Sequence, residues 1–155
     1  MNVDDATIDL NGFSLVGVPG SGGRAIFANG ARKNLVVRNG GIRSWIAGGI
    51  GAAQSTNVQV IDLRLESNSG GPAIELGTAG QIVRCMAQSN FSAITTGARS
   101  VVSQTTSMNN TNSVRQRDHQ EQRGWQQDRR PNDTRLTGRK HHYLFCSRGK
   151  FGWHD

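Results

Sequence analysis

The feature that most restricts the fold is a short pattern of residues that the middle of the chain contains twice. Residues 56–90 read TNVQVIDLRLESNSGGPAIELGTAGQIVRCMAQSN, in which apolar residues alternate with polar ones and the series ends on an asparagine. The first copy consists of Val58, Val60, Leu63, Leu65 and Asn68, and the second copy, 22 residues later, of Gly80, Ile82, Cys85, Ala87 and Asn90. Alternation with a period of two indicates β-strands, so the repeat predicts strands that recur once in every structural unit.

The pattern extends in both directions, and a second series runs out of phase with it. The first series includes Ile8, Leu10, Phe13 and Leu15, then, 27 residues on, Leu35, Val37, Gly40 and Ile42, and finally, 20 residues after the copy at Ile82, Val102, Thr105, Ser107 and Asn110. The second series consists of the pairs Ala25-Ile26, Gly49-Ile50, Ala73-Ile74 and Ala93-Ile94, whose isoleucines are 24, 24 and 20 residues apart. Two series with one period predict an all-β solenoid of parallel strands.

Stacking of the turns explains how such a chain buries its apolar residues. One turn cannot cover its own inward face, so neighbouring turns stack at a spacing of about 4.8 Å. Residues at equivalent positions of successive turns then form ladders, such as Leu35–Val58 and Val60–Ile82–Val102. The 20 glycines and a hydrophobic content of only 35% suit short strands joined by tight corners. The asparagines Asn68, Asn90 and Asn110 are expected to stack at one corner, where asparagine tolerates a left-handed backbone. Trp45 takes the equivalent place one turn earlier.

Several segments of the chain resemble known proteins of this architecture. NLVVRNGGI, NVQVIDLRLESNSGGPAI and QIVRCMAQSNFSAI are similar to the right-handed parallel β-helix proteins of the pectin-lyase-like superfamily, and ATIDLNGFSL resembles an early turn of its bacterial members. The resemblance implies a right-handed parallel β-helix of about four to five turns. It covers about residues 6–113, and we assign 1–113 to the repeats and 114–155 to an irregular basic tail. Members of the superfamily include polysaccharide lyases and hydrolases, tailspikes and carbohydrate-binding proteins, and most are exported.

The positions of the acidic residues indicate whether the repeat could contain the catalytic or calcium-binding site of an enzyme of that superfamily. Its lyases bind calcium through carboxylates on neighbouring turns, and its hydrolases use paired acids. Aligning the turns places Asp62 opposite Arg84, and Glu66 between Arg43 and Gln88, as expected for a solvated ladder of ion pairs. The repeat contains no histidine. We therefore assign no catalytic residue, no metal site and no cofactor to the repeats.

Two aromatic residues are candidates for binding carbohydrate. Trp45 and Phe91 lie beside corner positions, and aromatic rings stack on sugars while nearby polar groups fix orientation. The alternative is that each ring packs over its own loop.

The tail has a different composition from the repeats. Residues 1–113 hold 8 Lys+Arg and 6 Asp+Glu, whereas 114–155 hold 10 and 5 together with all four histidines. The few apolar residues of the tail predict little independent structure. His141, His142, His154 and Cys146 are possible zinc ligands, although their spacing matches no common zinc motif. The tail could also bind nucleic acid, or it could be the out-of-frame translation of DNA that encodes further repeats.

These observations leave three functional hypotheses. The first is a non-catalytic β-helix repeat protein, or a fragment of one, that binds carbohydrate or a cell surface. The alternatives are a polysaccharide-active enzyme with an unrecognised site and a nucleic-acid-binding module that uses the tail. Open ends of the β-helix predict self-association. The sequence has no recognisable signal peptide and no apolar run long enough to span a membrane, so we expect no membrane partner and assign no location.

Overall fold

A computed structural model describes residues 1–20, 22–112 and 114–117 of the chain, the last two of them as backbone. The described residues form β-strands and no helix. The strands are β1 (Thr7–Asp9), β2 (Ser14–Val16), β3 (Ile26–Phe27), β4 (Val36–Arg43), β5 (Ile50–Ala52), β6 (Gln59–Glu66), β7 (Pro72–Leu76), β8 (Gln81–Val83), β9 (Met86–Gln88), β10 (Ser92–Gly97), β11 (Val101–Ser103), β12 (Thr106–Met108) and β13 (Arg115–Arg117).

These strands stack as a parallel β-solenoid of about four turns, which confirms the predicted fold class. The first face contains β1, the first halves of β4 and β6, β8 and β11. The second face contains β2, the second halves of β4 and β6, β9 and β12. The third face contains β3, β5, β7, β10 and β13. Every pair of neighbouring strands is parallel, because each strand lies beside its equivalent one turn later.

The register of the strands confirms both repeat series over most of the chain. Val37 lies opposite Val60, Val60 opposite Ile82, and Ile82 opposite Val102. The isoleucines of the second series also align: Ile26 pairs with Ile50, Ile50 with Ile74, and Ile74 with Ile94. Parallel pairing continues beyond residue 113, because Arg115 of β13 lies opposite Thr95 of β10.

The first turn departs from the predicted alignment by two residues. Ile8 was expected to align with Leu35, but it lies opposite Val37, whereas Leu15 lies opposite Ile42 as predicted. The difference arises because the link between β1 and β2 is two residues longer than the corresponding bend within β4, and it closes as a turn at Asn11 and Gly12. Phe13, which the alignment placed in the inward series, is consequently 73% exposed.

Three corners separate the faces, and each is a column of residues with a left-handed backbone. The first corner joins the first and second faces at Asn39, Asp62, Arg84 and Gln104, with φ between 50° and 62°. The second corner joins the second and third faces at Ser44, Ser67, Ser89 and Asn109, with φ between 52° and 62°. The third corner precedes the first face at Asp5, Asn34, Asn57, Ala79 and Arg99, with φ between 54° and 60°.

The left-handed residues of the second corner correct one detail of the sequence analysis. Asn68 was expected to adopt the left-handed backbone itself, but the positive φ falls on Ser67, the residue before it. The same shift of one residue applies at Ser89 and at Asn109. The asparagine that follows is consequently free to turn its side chain into the solenoid.

The core fills the space between the three faces. In the middle turns the inward side chains of the first series are almost completely buried, including Val60, Leu65 and Ile82 at 0% exposure. Ile74 and Ile94 of the third face meet them from the other side, also at 0%. None of the described residues belongs to a helix long and apolar enough to cross a membrane.

Candidate functional site

The asparagine column beside the second corner is a buried network of hydrogen bonds. Asn68 Nδ2 donates to Asn90 Oδ1 at 2.9 Å, and Asn90 Nδ2 donates to Asn110 Oδ1 at 3.0 Å. The same oxygens accept backbone amides, since Asn68 N lies 3.0 Å from Asn90 Oδ1 and Asn90 N lies 2.8 Å from Asn110 Oδ1. Each asparagine is thus bound to the next by two hydrogen bonds.

The second amide hydrogen of each asparagine is also used within the solenoid. Asn68 Nδ2 donates to the carbonyl oxygen of Ile42 at 3.2 Å, and Asn90 Nδ2 donates to that of Leu65 at 3.1 Å. Asn68 and Asn90 are only 1% and 2% exposed. Buried polar groups need partners, and these side chains have them. Their contacts are structural and leave no amide hydrogen for a ligand.

Trp45 ends the asparagine column and is itself held in place. Its backbone amide donates to Asn68 Oδ1 at 3.1 Å, and its indole Nε1 donates to the carbonyl oxygen of Leu15 at 3.3 Å. The ring is half-buried and packs against the core. Of the two aromatic candidates, Trp45 therefore has its polar group occupied and its ring partly covered.

Phe91 presents a more accessible ring at the same corner. It follows Asn90 directly and is 49% exposed. Its backbone amide donates to the carbonyl oxygen of Asn68, which aligns Phe91 with Ser69 of the preceding turn. Ile46 occupies the same column one turn before Ser69 and is 43% exposed. The column thus carries two exposed apolar side chains two turns apart, about 10 Å at the usual strand spacing.

The polar surroundings of Phe91 come from the second corner. Ser44, Ser67, Ser89 and Asn109 form an exposed column two residues before that of Phe91. The serine hydroxyls can both donate and accept hydrogen bonds. We use the name aromatic corner for the surface formed by Phe91, Ile46 and this polar column.

The second face, which borders the aromatic corner, carries two arginines with no ion pair to another described residue. Arg43 lies at the end of β4, and Arg64 lies in β6 opposite Gly41. Because Gly41 has no side chain, a shallow depression remains there, lined by Ser14, Arg43, Arg64 and Glu66. Glu66 lies opposite Arg43 on one side and Gln88 on the other, as the sequence alignment predicts.

Two acidic residues of the middle turns, Asp62 and Glu75, are paired with arginines. Arg84 binds both carboxylate oxygens of Asp62, at 2.7 and 2.8 Å, which confirms the predicted pair. The hydrogen bonds from Arg84 hold the pKa of Asp62 below its ordinary value. Glu75 pairs with Arg24 at 2.6 Å across Gly51. No group of three potential ligands among His, Cys, Asp and Glu occurs within the described residues.

The acids of the first turn have local partners too. Asp9 pairs with Arg38 at 2.9 Å, and a backbone hydrogen bond from Asn11 is the main cause of its lowered pKa. The carboxylates of Asp4 and Asp5 accept hydrogen bonds from Lys33 N and Asn34 Nδ2. These acids therefore stabilise contacts between the first two turns.

Cys85 lies under the first corner and is chemically protected. It is 3% exposed, and burial raises the pKa of its thiol, so that the unreactive neutral form is favoured. Its Sγ contacts the carbonyl oxygens of Val60 and Val83 at 3.5 and 3.4 Å. The thiol fills an inward position of the repeat.

The structure also contains a polar ladder that the sequence analysis missed. At the third corner Asn57 Nδ2 donates to Asn34 Oδ1 at 2.8 Å, and Asn34 Nδ2 donates to Asp5 Oδ1 at 2.7 Å. The 29 residues from Asp5 to Asn34 exceed the 27 of the first series, but the 23 residues from Asn34 to Asn57 match its spacing in the same turns. This agreement is the signal that could have revealed the ladder.

The remaining sequence predictions concern residues outside the described part of the chain. The possible zinc ligands His141, His142, His154 and Cys146 fall there, as does the basic segment proposed for nucleic acid apart from residues 114–117. The chain matches no protein-family model, and no curated protein or solved structure matches it either. The geometry of the solenoid is therefore the basis on which a site can be assigned.

Proposed function

We propose that this protein is a non-catalytic β-solenoid that binds polysaccharide at the aromatic corner. The observation that carries the proposal is the half-exposed ring of Phe91, which projects beside a column of polar side chains. A sugar presents an apolar face of C–H groups and an edge of hydroxyl groups. An exposed ring next to hydroxyl-bearing side chains complements both.

The repeat geometry favours a polymer over a single sugar. Equivalent side chains recur once per turn, about 4.8 Å apart, so the column of Ser44, Ser67, Ser89 and Asn109 offers the same kind of contact several times. A chain of sugars can use these contacts together. Several weak contacts to one polymer then add to a useful affinity.

The arginines of the second face favour an acidic polysaccharide. Arg43 and Arg64 are diagonal neighbours on adjacent strands, and neither has an ion pair within the described residues. A guanidinium binds a carboxylate or sulfate through paired hydrogen bonds. The proposal is thus a polymer whose sugars contact Phe91 and whose acidic groups contact these two arginines.

Affinity electrophoresis tests this proposal. Native gels containing polygalacturonate should retard the protein, and gels containing the neutral polymer dextran should retard it less. Replacing Phe91→Ala should weaken retardation, with a loss of roughly tenfold in affinity for one stacked ring. Phe27→Ala is the matched control, because Phe27 is also exposed, at 55%, but lies on the third face. Equal retardation of the two variants would contradict the proposed site.

Product analysis distinguishes binding from the enzymatic alternative. A lyase acting on polygalacturonate generates an unsaturated sugar that absorbs in the ultraviolet, and a hydrolase generates new reducing ends. If the purified protein produces either at a steady rate, the non-catalytic assignment is wrong. Retardation by the polymer with no release of product supports it.

A further inference from the structure

The exposed apolar residues of the solenoid are concentrated in its first and last described turns. The first turn carries Val3, Phe13, Val16, Val18 and Phe27, which are between 47% and 73% exposed. The last turn carries Val101, Val102, Met108 and Val114, which are between 37% and 56% exposed. Among the residues between these turns, only Ile46 and Phe91 are large, apolar and exposed. Exposed apolar side chains concentrated in one part of a protein often mark a docking surface.

At both surfaces, the strands pair on one side only within the described residues, so their other edge can pair with a further strand. Within the described residues, β1 and β2 pair only with β4, and β3 pairs only with β5. At the other surface, β11 pairs only with β8, β12 only with β9, and β13 only with β10. Such strand edges are templates for another parallel strand.

The two surfaces carry opposite charge. Residues 1–27 contain three acids, Asp4, Asp5 and Asp9, and one base, Arg24. Residues 98–117 contain the bases Arg99, Arg115 and Arg117 and no acid. A contact between one such surface and the other is therefore favoured electrostatically, whereas a contact between two like surfaces is disfavoured.

The third corner shows where the opposite charges would meet. Its column begins at Asp5 and passes through Asn34, Asn57 and Ala79 to end at Arg99. If the last turn of one copy stacks on the first turn of another in the register of the solenoid, Arg99 takes its place beside Asp5 of the second copy. In the same register Val102 continues the column of Ile8.

We propose that the last described turn of one copy binds the first turn of a second copy of this chain. The interface is head-to-tail, with parallel strand pairing, continued apolar columns and the pair Arg99–Asp5. Because its two halves are different surfaces, it repeats from copy to copy and builds open linear assemblies instead of closed dimers. This inference does not depend on the binding of polysaccharide.

Sedimentation velocity of the full chain over a range of concentrations tests the proposal. We expect a series of species that grows with concentration and shrinks with added salt, since the charged pair is screened. Arg99→Asp should lower the association constant by at least about tenfold, because it places two acids together. It should fold normally, since Arg99 is exposed and aspartate accepts the left-handed backbone at this position. Arg64→Asp, a charge reversal in the middle of the second face, is the matched control and should associate like the unmodified protein.

A mixing experiment identifies the partner surface. Asp5→Arg should also weaken association, and an equimolar mixture of Asp5→Arg with Arg99→Asp should restore it, since each variant keeps one unmodified surface and the altered residues complement each other. If Asp5→Arg fails to fold for loss of its bond to Asn34, Arg99→Asp and the salt series still decide the proposal.

Two results would overturn the proposal. One is a monomer at every concentration, and protection of the β11 and β12 amides from hydrogen exchange in that monomer would mean that another segment of the same chain covers the last described turn. The other is an association that Arg99→Asp leaves unchanged.

Discussion

Asn68 and Asn90 are joined side chain to side chain at 2.9 Å, and both are buried between the second and third faces of the solenoid. The oxygen of Asn90 also accepts the backbone amide of Asn68. Its nitrogen binds Leu65 O in the preceding turn and Asn110 Oδ1 in the next. One amide group therefore links three turns of the chain.

Replacing Asn90→Ala should strongly destabilise the solenoid. The backbone amide of Asn68 and one hydrogen of its side-chain amide would lose their acceptor in a buried site, and each unsatisfied group costs about 1–3 kcal/mol. We expect a loss of about 3 kcal/mol in the free energy of unfolding, measured by urea denaturation. Asn110→Ala is the graded control, because Asn110 is only half-buried and water can replace some of its bonds. A loss at Asn110 as large as that at Asn90 would contradict this explanation.

Replacing Ala79→Asn should stabilise the solenoid. Ala79 has φ of 54° at the third corner, where alanine is strained and asparagine is better tolerated. The new side chain would also continue the ladder of Asn34 and Asn57 by one turn. We expect a gain of about 1 kcal/mol in the free energy of unfolding.

The control for that gain is an alanine outside the left-handed columns. Ala53 is exposed and has no positive φ, so Ala53→Asn should leave the melting temperature nearly unchanged. An increase at both positions would indicate a general effect of asparagine, and the explanation from backbone conformation would be wrong.

The period of the sequence determined much of the fold because each turn repeats the surroundings of the turn before it. Inward positions such as Val60 and Ile82 must be apolar in every turn, and this requirement leaves a pattern in the sequence. The same alignment predicted the pair of Asp62 and Arg84, since neighbours in a column are one period apart.

The register of the first turn could not be predicted in the same way. The period is interrupted between β1 and β2, where the turn at Asn11 and Gly12 lengthens the link. The residue types did not reveal the shift. Phe13 is apolar, as an inward residue would be, but it is exposed.

The candidate site was predicted only in part, because period and residue type do not reveal exposure. The sequence pointed equally to Trp45 and Phe91. The hydrogen bond from Trp45 to Leu15 O, which partly fixes the indole, depends on contacts between turns that spacing does not specify.

A methyl group at Gly40 should be poorly tolerated. Gly40 faces inward, and an added Cβ would lie 2.5 Å from both Leu10 Cβ and Phe13 O. Because both atoms are fixed by the first turn, Gly40→Ala should cost about 1–3 kcal/mol of stability. Gly22→Ala is the control, since a Cβ at Gly22 meets no atom within 4 Å. Equal melting temperatures for the two variants would show that the first turn is not packed as described.

The ion pair of Asp62 and Arg84 predicts how stability responds to acid. Arg84 lowers the pKa of Asp62 in the folded protein below its ordinary value of 3.8. A lowered folded-state pKa means that the pair stabilises the fold above pH 3.8, and that this contribution is lost as the pH falls through the folded-state pKa. Both side chains are about half exposed, so we expect only a small change in stability at neutral pH when the pair is removed.

Titration of the Asp62 carboxyl carbon by NMR measures this effect directly. In the variant Arg84→Gln the pKa of Asp62 should rise towards 3.8, because the hydrogen bonds that lower it are lost. Arg64→Gln is the matched control, because Arg64 lines the same shallow groove as Asp62 and Arg84 at the first corner but makes no ion pair with Asp62. If the pKa of Asp62 stays low in Arg84→Gln, or rises equally in Arg64→Gln, the bidentate contact is not what stabilises the charged carboxylate.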